Sequence, residues 1–155
     1  MLENVLNKLN LASNVSELDA WNYAVTRNYK LMDYVRKLIN EQLDEGIDAD
    51  GDIIGEYSFA PEIISQGKKL EGDPFTLKDT GMFRGSIVVV GNKNDITIFA
   101  NGDKTSTKKG RTEKVNLIDL YSVRIIELTD DNLLLLSDFI KTEYLIYLRN
   151  VLQIN

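Results

Sequence analysis

The sequence predicts an α+β fold in which a small antiparallel β-sheet is packed by a long N-terminal helix and a long C-terminal helix. Helical periodicity of apolar residues extends over residues 2–44 and again over 129–153. Between them, two β-branched runs at 86–90 and 95–100 are typical of strands. The 155 residues are 43% apolar, which is enough to bury one core, so we expect a single domain over residues 1–155.

The N-terminal region is predicted to form two helices. Four apolar residues lie three or four positions apart in the first helix, over residues 2–11: Leu2, Val5, Leu6 and Leu9. Ser16 is a suitable N-cap for the second helix, and Gly46 ends its apolar pattern. A helix over residues 16–44 would be about 42 Å long, so we expect it to kink or to project beyond the domain.

Residues 45–76 are predicted to form a loop region. Its stretch Asp-Ala-Asp-Gly-Asp, beginning at Asp48, is similar to the start of an EF-hand calcium loop. In that register Ile53 falls where glycine is required, and Phe59 falls where the bidentate glutamate belongs. We therefore predict a turn at Asp50-Gly51 and no metal site.

The centre of the chain is predicted to contain a β-hairpin and a basic loop. Residues 91–94 join the two strands as a hairpin loop, within a region that extends over residues 77–100. Residues 101–114 are polar and basic, so we expect a loop that contacts a neighbouring subunit or DNA. Its candidate contact residues are Lys104, Lys108, Lys109 and Arg111. A short helical turn at 117–121 and a brief strand at 123–128 should follow.

The last helix is strongly apolar. Thr129 is a good N-cap, and the aspartates that follow it suit the positive end of the helix dipole. The apolar residues cover more than one face, which predicts that the helix is buried in its own domain or packs on another subunit. The candidate interface residues are Leu134, Leu135, Tyr144, Tyr147 and Val151.

Composition removes several classes of site. The chain contains no cysteine and no histidine, which excludes disulfides, thiolate nucleophiles, cysteine-based metal sites and histidine-containing triads. The net charge of −6 gives the chain no overall electrostatic attraction for nucleic acid. No apolar run approaches the ~20 residues of a membrane span, and the N-terminus lacks the features of a signal peptide. We therefore expect folding in a cytoplasm, without a cofactor.

The tripeptide Asp79-Thr80-Gly81 is also the active-site tripeptide of aspartic proteases. In those enzymes the aspartate ends a buried strand, and two such aspartates share one proton. A chain of this size with one tripeptide would have to dimerise to build the pair. Here Lys78 precedes the aspartate, and the predicted strand follows the tripeptide. A dimeric aspartic protease-like enzyme acting through Asp79 is therefore the remote alternative.

A structural role accounts for the tripeptide better. We expect Asp79 or Thr80 to cap a short helix over residues 80–84, whose first N–H groups need an acceptor. Gly81 would let the chain turn tightly. Four apolar residues around the turn are predicted to anchor it to the core: Leu77, Met82, Phe83 and Ile87.

Residues 77–87, L-K-D-T-G-M-F-R-G-S-I, are followed by two strands, a polar loop and a closing helix. This arrangement resembles the tail-completion or virion-morphogenesis proteins of tailed bacteriophages. In that family an apolar residue follows the glycine by two positions and a Ser-Ile strand start comes next, and here Phe83, Ser86 and Ile87 occupy those places. The lead-in at residues 68–77 is also similar to the family's basic-to-proline segment.

The resemblance implies a non-enzymatic structural protein of the virion. Six or twelve copies would form a ring at the head–tail junction, assembled in the cytoplasm of the bacterial host. The partners would be portal, adaptor or tail proteins, with no membrane, and DNA would pass through the channel without specific binding. The alternative is another soluble oligomeric adaptor or assembly protein.

Overall fold

The structure is a computed structural model that describes residues 2–57, 70–78, 80–108 and 111–153. The fold is α+β, as the sequence predicts, with long helices near both ends of the chain and small antiparallel two-stranded sheets between them. No helix in these described ranges is sufficiently long and apolar to cross a membrane.

The N-terminal helices are more numerous than expected, because the second predicted helix is divided into shorter ones. They are α1 (Leu2–Ser13), α2 (Glu17–Trp21), a π-helical turn (Asn22–Thr26) and α3 (Tyr29–Glu45). The Ser16 side chain accepts a hydrogen bond from the Asp19 N–H at 3.4 Å, which is the predicted N-cap. The continuous helix expected over residues 16–44 is wrong, because Asn28 interrupts it. The Asn28 Oδ1 accepts from the Leu31 N–H at 3.2 Å and so starts a new helix.

The strands form two hairpins. Strand β1 (Val88–Gly91) pairs with β2 (Ile96–Phe99), close to the predicted positions. Strand β3 (Asp103–Lys108) pairs antiparallel with β4 (Arg111–Asn116), so the loop expected over residues 101–114 is wrong. The sequences of these two strands are almost entirely polar, so they lack the apolar alternation that identifies a half-buried strand.

The segment between β4 and the last helix is helical. Helix α5 (Leu117–Tyr121) confirms the predicted helical turn, and the Asn116 side chain caps it by accepting from the Ile118 N–H at 2.9 Å. A 3₁₀-helix at Val123–Ile126 replaces the brief strand expected there, which is therefore wrong. Its last two residues, Ile125 and Ile126, are both buried, whereas neighbours in a strand would point to opposite faces.

The C-terminal helix is α6 (Asp130–Leu152), and its start agrees with the predicted cap. The Thr129 side chain accepts from the Asn132 N–H at 3.3 Å. The buried Gln42 side chain also contributes, because its Oε1 accepts from the Thr129 N–H at 3.1 Å. Two side chains therefore cap this end of the helix, and only Thr129 could be identified from the sequence.

The chain separates into two compact units, each with its own buried residues. The first contains residues 1–35, 89–97 and 134–155, and the second contains residues 36–88 and 98–133. Buried apolar residues of the first unit are Ala20, Ala24, Val25, Leu31, Val35 and Leu136. Those of the second are Leu38, Ile39, Leu43, Ala49, Phe83, Ile87, Ile125, Ile126 and Leu128. The single domain expected over 1–155 stays a prediction.

Candidate functional site

The Asp-Thr-Gly turn precedes a one-turn helix, α4 (Met82–Gly85). Asp79 lies outside the described residues. The Thr80 hydroxyl accepts a long hydrogen bond, 3.4 Å, from the Met82 N–H, while Gly81 is the residue immediately before the helix. Gly81 has φ +74°, a left-handed conformation that glycine adopts without the strain that a Cβ atom introduces.

Two of the four apolar residues expected to anchor the turn are buried. Phe83 is 6% exposed and Ile87 is fully buried, so these two side chains fix the helix to the core of the second unit. Leu77 is half-buried and has φ +51°. Met82 is 74% exposed, so the expectation that it anchors the turn is wrong. In the one turn of α4, Met82 and Phe83 point in different directions, and the latter faces the core.

A buried arginine ties this turn to the end of α3. Arg84 is 8% exposed. Its Nε donates to the Thr76 carbonyl oxygen at 2.9 Å, and its Nη2 donates to the same oxygen. Its Nη1 donates to Asp44 Oδ1 at 2.7 Å and to the Asn40 carbonyl oxygen at 3.3 Å. A hydrogen bond from Arg84 lowers the pKa of Asp44, and the positive charges of Arg84 and Lys78 act in the same direction.

Ser86 connects the turn to the segment after β2. Its hydroxyl donates to the Phe83 carbonyl oxygen at 2.7 Å and accepts from the Asn101 N–H at 2.9 Å. The motif serine therefore satisfies one backbone group of α4 and one of the chain fifteen residues later. A residue without a hydroxyl would leave both groups without this partner.

A cavity of about 430 Å³ in the second unit adjoins the turn. Its wall is mostly apolar and includes Phe75, Leu77, Phe83, Leu117 and Tyr121. The ring of Phe75 makes an edge contact with Tyr121, with centroids 6.0 Å apart. Burial raises the pKa of the Tyr121 hydroxyl, so this group is neutral near pH 7.

The chemistry available in this cavity is limited. Among the described lining residues the one carboxylate is Asp103, and it accepts a hydrogen bond from the Asn116 side chain at 2.9 Å. A shared-proton dyad requires two carboxylates about 3 Å apart. The described part of the wall lacks such a pair and is mostly apolar.

The basic residues of the predicted loop belong to the β3–β4 hairpin. Lys104 is half-buried and lies opposite Val115 in the strand register. Lys108 and Arg111 are the last paired positions before the hairpin loop, and their side chains lie outside the described part of the structure. Lys109 lies outside it entirely. Whether these residues contact DNA or protein stays a prediction.

The predicted interface residues of α6 divide into exposed and packed positions. Leu134 is 66% exposed, Leu135 48% and Tyr144 39%. Tyr147 packs against Tyr23, with ring centroids 5.4 Å apart, and Val151 is half-buried. The first three are available to a partner, whereas Tyr147 is partly used within its own unit.

Side-chain contacts close the Asp48 turn. Asp48 Oδ1 accepts from the N–H groups of Asp50 and Asp52, at 2.9 and 3.1 Å. Asp50 forms a two-point contact with Arg124, whose Nε lies 2.9 Å from Asp50 Oδ2. Within the described ranges no group of three or more acidic residues is placed to hold a metal ion.

Comparison with known proteins adds no family assignment. No protein-family model matches the chain, and no curated protein or solved structure is significantly similar to it. The resemblance of residues 77–87 to the phage proteins therefore stays a prediction that rests on the motif.

Sequence reasoning missed the polar contacts that hold the site together. Arg84 meets Asp44 from 40 positions away, and Arg124 meets Asp50 from 74 positions away. Periodicity and capping rules describe neighbours within about four positions, so they carry no signal for such pairs. The one available signal was a charged residue, Arg84, directly after the predicted anchor residues Met82 and Phe83.

Proposed function

We propose that this chain is a non-enzymatic structural subunit of a tailed-bacteriophage virion, with several copies forming a ring at the head–tail junction. The resemblance of residues 77–87 to tail-completion proteins suggests the place in the virion. The observation that carries the assembly role is the exposed apolar surface of α6. Monomeric proteins rarely expose several adjacent large apolar side chains in this way.

Most of that surface lies on one turn of the helix. Four leucines in succession occupy residues 133–136, and at 100° per residue they cover about 300° of the circumference. Leu136 is buried, so its own chain covers one side of this turn. Leu133, Leu134 and Leu135 are 49, 66 and 48% exposed, so the other sides face solvent. Single exposed leucines are common, but three together mark a surface that a partner covers.

The same helix carries a second exposed group near its C-terminal end. Tyr144, Leu145 and Ile146 are consecutive and are each more than a third exposed. Two apolar groups on one helix suit a subunit with neighbours on more than one side, as in a ring with heterologous contacts.

The Asp-Thr-Gly region supports a scaffold role in this proposal. Arg84 and Ser86 fix the turn by hydrogen bonds to backbone carbonyl and N–H groups at both of its ends. An enzyme without histidine or cysteine would depend on carboxylate, lysine or hydroxyl groups. The described wall of the adjoining cavity contains Lys104 and several hydroxyl groups but one carboxylate, Asp103, so its described residues lack the second carboxylate of a shared-proton dyad.

The experiment uses Leu134→Glu combined with Leu135→Glu. Burying one leucine at an interface contributes about 1.5–3 kcal/mol, so two charged replacements should weaken subunit association at least about 100-fold. Because both positions are exposed in the single chain, its free energy of unfolding should change by less than about 0.5 kcal/mol per substitution. The assembly is followed by light scattering over a concentration series.

The matched control is Thr142→Glu combined with Asn150→Glu, which adds the same charge at two exposed polar positions of α6. This control should assemble like the unmodified chain. If both double variants assembled normally, the exposed leucines would not be part of a subunit interface and the assembly role would lose its support.

A further inference from the structure

Helix α1 is amphipathic, and its apolar stripe is exposed in the described part of its own chain. All twelve of its residues are described, and none of them is buried. Its apolar stripe consists of Leu2, Val5, Leu6 and Leu9, whose exposed fractions are 79, 53, 52 and 60%. A helix of this length is marginal in water by itself, so its stability depends on packing. The stripe has the i, i+3, i+4, i+7 spacing of a helix that docks into a groove.

A groove of suitable character lies between α2 and α6 in the first unit. Its volume is about 380 Å³. The small buried residues Ala20 and Ala24 lie on one side of it, and Ile140 lies on the other. The larger rings of Trp21 and Tyr144 also line it. Small residues between large ones leave room for the aliphatic side chains of an incoming helix.

The charges of the stripe and the groove are complementary. Glu17 and Lys141 line the groove, one from each helix. Glu3 and Lys8 flank the apolar stripe of α1, each about 110° from its centre and on opposite sides. An α1 helix lying in the groove can therefore bring Lys8 towards Glu17 and Glu3 towards Lys141, which defines one of its two orientations.

No described residue of α1 lines this groove in its own chain, and hydrogen bonds close the end of α1 before α2 begins. The Asn14 N–H donates to the Leu11 carbonyl oxygen at 3.2 Å, and the Val15 N–H donates to the Ala12 carbonyl oxygen at 3.2 Å. The Asn14 side chain also donates to the Asn10 carbonyl oxygen at 2.9 Å. These bonds extend the last turn of α1 into the connection to α2.

We propose that α1 of one copy docks into the groove between α2 and α6 of a neighbouring copy, with the four residues of the stripe as anchors. This inference rests on the proposed function, because it names the contact between neighbouring subunits. The helix and the groove are different surfaces, so each copy gives one contact and receives one. Such a heterologous contact closes into a ring when the rotation between copies permits.

The test uses disulfide formation between two marked copies, since the chain has no cysteine of its own. One copy carries Leu6→Cys, and a second copy with a mass tag carries Ser137→Cys in the groove. The matched control replaces Leu6→Cys by Asn7→Cys, which lies on the opposite face of α1 about 150° from the centre of the stripe. All three positions are exposed in the single chain, and circular dichroism checks that each variant folds.

We expect the Leu6→Cys and Ser137→Cys copies to form at least tenfold more mixed disulfide than the control pair under mild oxidation. Equal yields from both pairs would overturn the proposal. A chain carrying both Leu6→Cys and Ser137→Cys supplies the test of self-docking. A predominantly intrachain disulfide in that chain, at high protein concentration, would assign the groove to the same copy's α1 and would also overturn the proposal.

The native mass of the assembly, measured together with the disulfide yield, separates this inference from the proposed function. A ring without preferential mixed disulfide leaves the proposed function standing and removes the α1 contact. If the mixed disulfide forms preferentially but the native mass is that of a closed pair, the result supports the α1 contact and argues against the ring.

Discussion

Replacing Arg84 by methionine removes a buried cation from the centre of the turn region while keeping an unbranched side chain of similar length. Arg84 is 8% exposed and donates to the Thr76 and Asn40 carbonyl oxygens and to Asp44. After the substitution the two carbonyl groups lose their donors. Asp44 loses its partner too, but its side chain is 51% exposed and regains water.

The magnitude follows from these partners. Two guanidinium N–H groups converge on the Thr76 oxygen, and a hydrogen bond from a charged donor contributes about 1.5–3 kcal/mol. The 3.3 Å bond to Asn40 adds about 1 kcal/mol. The pair with half-exposed Asp44 contributes at most about 1 kcal/mol because solvent screens it. We expect Arg84→Met to lower the free energy of unfolding by about 3 kcal/mol.

The assay is urea unfolding at pH 7, followed by far-ultraviolet circular dichroism. The control is Lys37→Met, because Lys37 is 65% exposed and its ion pair with Glu41 spans 3.5 Å on the surface of α3. This control should change the free energy of unfolding by less than about 0.5 kcal/mol. A loss below about 1 kcal/mol for Arg84→Met, with an unchanged denaturant slope, would refute the assigned role of Arg84.

Two further predictions concern the same region. The pKa of Asp44 is lowered in the folded chain, so its contribution to stability is present above the ordinary value of 3.8 and is lost as the pH falls through the lower folded value. Asp44→Asn should therefore flatten the loss of stability in acid, and an unchanged acid limb in urea titrations would contradict this. Gly81→Ala should cost about 1–2 kcal/mol from its positive φ alone, because no atom of the described residues lies within 4 Å of the added Cβ. Gly85→Ala, equally open but without a positive φ, should cost less than about 0.5 kcal/mol in thermal unfolding, and equal losses would exclude backbone strain as the cause.

Local sequence patterns predicted the elements whose sequence signals are local. The apolar stripe of α1 and the Thr129 cap of α6 depend on residues within one or two turns, and both could be recognised. The interruption at Asn28 could not, because Val25, Met32 and Val35 keep a helical apolar pattern across it. Only the hydrogen bond from the Leu31 N–H to Asn28 reveals the new start.

The remaining differences come from contacts between distant residues. The β3–β4 hairpin is stabilised by backbone pairing, in which Lys104 lies opposite Val115, and polar strands give no apolar alternation to detect. Arg84 could be recognised as a charge beside the predicted anchor residues Met82 and Phe83, but its three partners lie 8 to 44 positions away. The apolar excess of α6 was visible in the sequence, whereas its division into exposed Leu134 and packed Tyr147 required the structure.

The central claim is that this chain is a ring-forming subunit, and native mass spectrometry tests it most directly. The mass should be measured on the purified chain alone and after mixing with portal or tail components from its source. We predict a particle of six or twelve copies of the 17.6 kDa chain, either alone or on mixing. A monomer or stable dimer that ignores those components would contradict the proposed function.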